Sequence, residues 1–116
     1  MKALTAILMI AGAMLALPVQ AGFVNGHELM DAAREVEKAA ANQPNASFYD
    51  VGRFFGYIEA VSDVFTGVRF CPSANVTVGQ VAAIVIKWLE DHPEDRHYSA
   101  DSLVKAALEE AFPCHR

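Results

Sequence analysis

The chain is poor in cysteine, in basic residues and in strand signals. Two Cys among 116 residues cannot build a four-thiolate zinc site or an iron–sulfur cluster. Nine Lys and Arg stand against 14 Asp and Glu, and the net charge of −5 argues against a nucleic-acid module with a basic face. No glycine-rich phosphate loop, nucleophile elbow or Cys-x-x-Cys-His haem site occurs. The length fits one small domain and leaves no room for a Rossmann or TIM-barrel enzyme.

The hydrophobic fraction of 53% is high for a water-exposed domain, and the first twenty residues account for it. Lys2 supplies a positive start. Ala3 to Leu17 is almost wholly apolar, Pro18 ends the run, and Val19-Gln20-Ala21 offers small residues for cleavage. A membrane-spanning helix needs about 20 apolar residues, so this run is short for a retained anchor. The pattern predicts a secretion signal at 1–21 with cleavage after Ala21, and no membrane span after that cut. No Cys follows the cleavage site, so a lipid anchor is not expected. Residues 22–116 then form one domain of 95 residues, with eight basic and fourteen acidic side chains and a charge of −6.

Export to an oxidising compartment makes a Cys71–Cys114 disulfide the economical reading. An intermolecular bridge and two free thiols are the alternatives. Neither Cys has a local nucleophile signature beside it.

Helical periodicity dominates the rest. Asn25 and Glu28 form a capping box, and Leu29, Ala32, Ala33, Val36 and Ala40 follow at helical spacing. Asn42-Gln43-Pro44-Asn45 breaks the pattern. Ser47 can cap a second helix with an apolar stripe of Phe48, Val51, Phe55, Ile58 and Phe65. Gly52, Gly56 and Ala60 lie four apart, a smooth ridge that predicts close approach of another helix. A third helix opens on the capping box Thr77/Gln80 and carries Val78, Val81, Ala82, Val85, Trp88 and Leu89. Asp91-His92-Pro93 ends it. A fourth starts near Ser99 and turns Leu103, Val104, Ala107 and Leu108 inward. The expectation is an all-α protein, a small four-to-five-helix bundle. The third and fourth helices should pair as an antiparallel hairpin. Cys71 precedes that pair and Cys114 follows it, so one disulfide clips the hairpin's open end. The polar segment Glu90, Asp91, His92, Glu94, Asp95, Arg96, His97 projects at the other end.

Little chemistry is evident. His92 and His97 flank Glu94 and Asp95, but their spacing fits no zinc motif. Met30 is the only Met after the leader, which disfavours a Met/His haem pair. The expectation is no enzyme, no catalytic residues, no metal and no cofactor.

The ordered run Phe70-Cys71-Pro72, Val76-Thr77-Val78-Gly79-Gln80, Trp88-Leu89, His92-Pro93, Arg96-His97, Leu103-Val104, Ala106-Ala107-Leu108 and Phe112-Pro113-Cys114 resembles the Rap/Tai family of type VI secretion immunity proteins. Gly56-Tyr57-Ile58 is similar to that family's Gly-Tyr-Ile segment. The resemblance implies an exported, periplasmic, often homodimeric helical protein. Its partner would be a cognate peptidoglycan amidase toxin, whose active-site groove it blocks. It also implies that the loop between the last two helices, here Glu90 to His97, inserts into the groove. Relatives often carry further Cys in the first two helices. Here those regions read Met30-Asp31-Ala32-Ala33 and Arg53-Phe54-Phe55-Gly56. Phe70, Cys71, Thr77, Gln80, Leu103 and Cys114 are expected to keep the fold. Arg96 and His97 either brace the loop or touch the partner. The alternative function is a small periplasmic chaperone of the acid-stress, Hde-like type, also helical, exported and single-disulfide.

Overall fold

The computed structural model describes residues 23–115; the leader expected at 1–21 lies outside that range. Four helices appear in order: α1 Gly26–Ala40, α2 Phe48–Phe65, α3 Val78–Asp91 and α4 Ala100–Ala111, with one 3₁₀ turn at Pro93–Asp95. No strand occurs among the described residues, only isolated bridges at Asn25–Ser99 and Thr66–Phe70. The architecture is the expected all-α bundle.

The helix starts are set by local chemistry. Asn25 accepts from the Glu28 N–H at 3.0 Å while the Glu28 carboxylate accepts from the Asn25 N–H at 2.9 Å. Thr77 and Gln80 repeat the arrangement at α3, at 3.2 and 2.8 Å. Each box satisfies two N–H groups that a helix terminus leaves unpaired. Ser47 caps α2 by accepting from the Asp50 N–H. Its own N–H donates to the Glu35 carboxylate at 2.7 Å, which ties the start of α2 to α1. Asn42 and Asn45 take positive φ, 52° and 77°, as the breaker requires and as Asn tolerates. Ser99 begins α4 without a side-chain cap; its hydroxyl pairs with Ser102 at 2.8 Å.

The core is one cluster drawn from all four helices. Leu29 and Ala33 of α1 meet Phe54 and Ile58 of α2, Val85 and Leu89 of α3, and Val104 and Leu108 of α4. Phe70 enters it from the α2–α3 connection through a tight turn. There Gly67 has φ +80° and donates to the Phe70 carbonyl at 2.8 Å. Burying these side chains supplies most of the stabilisation, at about 1.5–3 kcal/mol for each large one.

The disulfide joins Cys71 to Cys114 with Cα atoms 4.9 Å apart, closing the open end of the α3–α4 hairpin. The Cys71 N–H donates to the Phe112 carbonyl at 2.8 Å beside it. Arg69 pairs with Glu109 at 2.7 Å near the same end. Two readings of the sequence need correction. Gly52 and Gly56 do not receive another helix: a Cβ at either would meet nothing within 4 Å. Phe48 and Val78 are outside the core, 78% and 43% exposed, because α2 and α3 each turn their first residue to solvent.

Candidate functional site: the braced loop between the last two helices

The segment from Glu90 to His97 sits at the end of the hairpin opposite the disulfide. Glu90 and Asp91 still belong to the last turn of α3, where the helix leaves carbonyl groups without intrahelical partners. Arg96 supplies them. Its Nε donates to the Leu89 carbonyl at 2.9 Å and one terminal nitrogen reaches the Glu90 carbonyl at 3.4 Å. A cation at a helix C-terminus is also favoured by the macrodipole. Arg96 is therefore a brace, its guanidinium turned inward onto the helix.

A second brace comes from the far end of the sequence. The first N–H groups of α1 point at the loop, with Gly26 donating to the Tyr98 carbonyl and His27 to the Arg96 carbonyl, both at 3.0 Å. The Ala100 N–H donates back to the Val24 carbonyl at 2.9 Å. The approach is so close that only glycine fits at position 26. A Cβ there would lie 2.6 Å from the Arg96 carbonyl oxygen and would also collide with Leu103. Within the loop, the Asp95 backbone N–H donates to the His92 carbonyl and the Tyr98 backbone N–H to the Asp95 carbonyl.

These bonds sort the seven residues picked from the sequence. His92 lies on the edge, its ring stacked on Trp88 with centroids 3.8 Å apart and its Nδ1 2.7 Å from the Trp88 carbonyl. Trp88 in turn donates its indole N–H to Glu110 at 3.1 Å. Asp91 and His92 border an open groove between α3 and α4, with Lys87, Trp88 and Glu110. Glu90 borders a different groove, against Val36, Glu37 and Ala40 of α1. The structure thus separates Glu90 from Asp91. Glu94 and His97 are exposed at the turn, and Asp95 is half-buried.

The charge the loop presents is negative. Lys87 offsets part of it, pairing with Asp91 at 2.9 Å, and that carboxylate holds the Lys87 ammonium above its ordinary value. Glu90, Glu94 and Asp95 have no ion pair among the described residues. Among those residues no three His, Cys, Asp or Glu side chains converge as a metal-binding set.

Tyr98 was missed in the sequence. It is 54% exposed at the end of the loop and its ring lies against His97, with centroids 4.0 Å apart. An aromatic in an otherwise polar segment was the available signal. Gly26 was missed too, since a contact spanning seventy residues leaves no local pattern.

Fold and loop together define a class: a small all-α domain with a braced acidic loop at the end of its last hairpin, opposite the disulfide. The family model for Rap1a immunity proteins matches residues 25–114, and the chain belongs to that family. It is accordingly an immunity protein, an inhibitor that binds a cognate toxin, and not an enzyme. Comparison with curated proteins gives no match. The matched span begins at the α1 cap and ends at the second disulfide Cys, so it contains both braces and both ends of the hairpin. Membership favours the immunity reading over the acid-stress chaperone. No helix among the described residues is long and apolar enough to cross a membrane.

Proposed function

We propose that the protein works in the periplasm as a homodimer and neutralises a peptidoglycan amidase delivered by type VI secretion. The Glu90–His97 loop enters the toxin's active-site groove and blocks substrate. The observation that carries this reading is the double brace, Arg96 on the end of α3 and Gly26–His27 on the loop carbonyls. A loop already held in one shape loses little conformational freedom on docking, so more of its contact energy appears as affinity. Its outward groups suit a basic or donor-rich cleft: Asp91 and Glu94 for hydrogen-bond donors and cations, His97 and Tyr98 for a flat apolar or aromatic surface.

The leader read at 1–21 agrees with export, and so does the disulfide, because such bonds form and persist chiefly in oxidising compartments. The test is co-expression with the toxin encoded beside the gene, followed by purification of the pair. Rescue of growth with a stable complex supports the reading. Failure to bind or neutralise any neighbouring toxin removes it.

A further inference from the structure

Asn25-Gly26 is the one Asn-Gly pair in the chain. Glycine carries no side chain to shield the Asn carboxamide from the next backbone nitrogen. That nitrogen can attack the carboxamide carbon. The bond from the Gly26 nitrogen to the Asn25 Cγ forms, the Cγ–Nδ2 bond breaks, and ammonia leaves with the Gly26 amide proton. Water then opens the cyclic imide at either carbonyl. One product is an ordinary aspartyl residue. The other is an isoaspartyl link, with one extra methylene group in the main chain. Asn42, Asn45 and Asn75 are followed by Gln43, Ala46 and Val76, whose side chains hinder the same attack.

The fold holds every group that this step must move. The Gly26 N–H donates to the Tyr98 carbonyl at 3.0 Å, which engages the attacking nitrogen. The Asn25 side-chain oxygen accepts from the Glu28 N–H at 3.0 Å, and the Asn25 N–H donates to the Glu28 carboxylate at 2.9 Å. Asn25 has an extended ψ of 176°, which ring closure must undo. Gly26 is buried against Arg96 and Leu103, with no room for a Cβ. The Asn25–Gly26 peptide therefore cannot turn unless the first turn of α1 parts from the loop.

We infer that Asn25 is a deamidation site, closed by the contact between α1 and the loop and exposed when that contact opens. Local opening short of unfolding is the general behaviour of chain segments near a terminus. The two products differ in consequence. Aspartate caps a helix as well as asparagine does, so the aspartyl product keeps the start of α1. The isoaspartyl product lengthens the main chain where only a hydrogen atom fits beside the Arg96 carbonyl oxygen, so the contact cannot re-form. Opening thereby becomes permanent, and the loop loses its brace on that side. Nothing in this inference depends on the identity of the toxin.

The experiment is peptide mass spectrometry on the exported protein held in mildly alkaline buffer, folded and in urea. The readout is the gain of one mass unit on the peptide carrying Asn25, with isoaspartyl and aspartyl products resolved by chromatography. The urea-unfolded chain should convert at Asn25 ahead of its other Asn residues. The folded protein should convert at least about tenfold more slowly. Leu103→Ala removes the side chain packed against Gly26 and should speed conversion of the folded protein several-fold. Cys71→Ser/Cys114→Ser weakens the far end of the hairpin and should speed it less. Asn25→Asp should melt with wild type, whereas the purified isoaspartyl form should melt lower. Equal rates folded and unfolded, or no conversion in urea, overturn the inference. So does an equal gain in the Leu103 and cysteine variants, which would make the opening global. An isoaspartyl form that melts with wild type overturns the loss of the brace.

Discussion

Gly26 and Arg96 meet backbone to backbone, with room for only a hydrogen atom at Gly26 beside the Arg96 carbonyl oxygen. That contact joins the first turn of α1 to the loop seventy residues later. Gly26→Ala should therefore force the loop and α1 apart and destabilise the domain by about 1–3 kcal/mol, the usual range for overpacking. Thermal or urea unfolding measures it. A variant as stable as wild type would mean that the loop is not anchored there.

Arg96→Ala should cost about 1–3 kcal/mol, because the Leu89 and Glu90 carbonyls lose a charged donor. Arg96→Lys should recover only part of it, since a single ammonium cannot span both carbonyls with a planar fork. Denaturant titration of the two variants checks the order. By contrast Glu94→Ala should leave stability within about 0.5 kcal/mol, as Glu94 is exposed and makes no ion pair.

Replacing Cys71 and Cys114 with Ser should lower the melting temperature by about 10 °C or more. The closed segment separates the two Cys by 43 residues, for which chain entropy gives about 4 kcal/mol. Non-reducing gels beforehand should show a monomeric cross-link. An unchanged melting temperature in the double variant would contradict the clip.

Acid should loosen the bundle in a definite place. Hydrogen bonds from Lys38 and from the Ser47 N–H hold the Glu35 carboxyl below its ordinary value of 4.5. Burial pushes the Asp101 carboxyl up, but hydrogen bonds from Ser99 and Lys105 and the Lys105 charge outweigh it, leaving it below 3.8. Lowered carboxyl values mean the unfolded chain takes up protons first. The stabilisation is full above the ordinary values and fades as pH falls through them toward the folded ones. Glu35→Gln should thus be less stable than wild type at pH 7, and the gap should narrow as the pH falls below 4.5. A gap that does not narrow on acidification would refute the link.

The parts legible in the sequence are those whose causes are local or topological. The Asn25/Glu28 and Thr77/Gln80 boxes act over three residues, so their spacing alone places two helix starts. The positions of Cys71 and Cys114 around the last helical pair identify which ends meet. What escaped reading depends on facing and on distant contact. Glycine spacing on α2 is the same whether the strip packs inward or faces water, and only the fold distinguishes them. Phe48 was misassigned for the same reason. Whether Arg96 braces or binds depends on its partners, the Leu89 and Glu90 carbonyls. A backbone carbonyl leaves no mark in a sequence.

If the pre-braced acidic loop carries toxin binding, calorimetric titration of the neighbouring toxin should separate wild type from the Asp91→Ala/Glu94→Ala/His97→Ala variant. Binding should be at least about tenfold weaker for the variant, with an unchanged melting temperature. Equal affinity from an intact, folded variant would contradict that role for the loop and move the binding surface elsewhere.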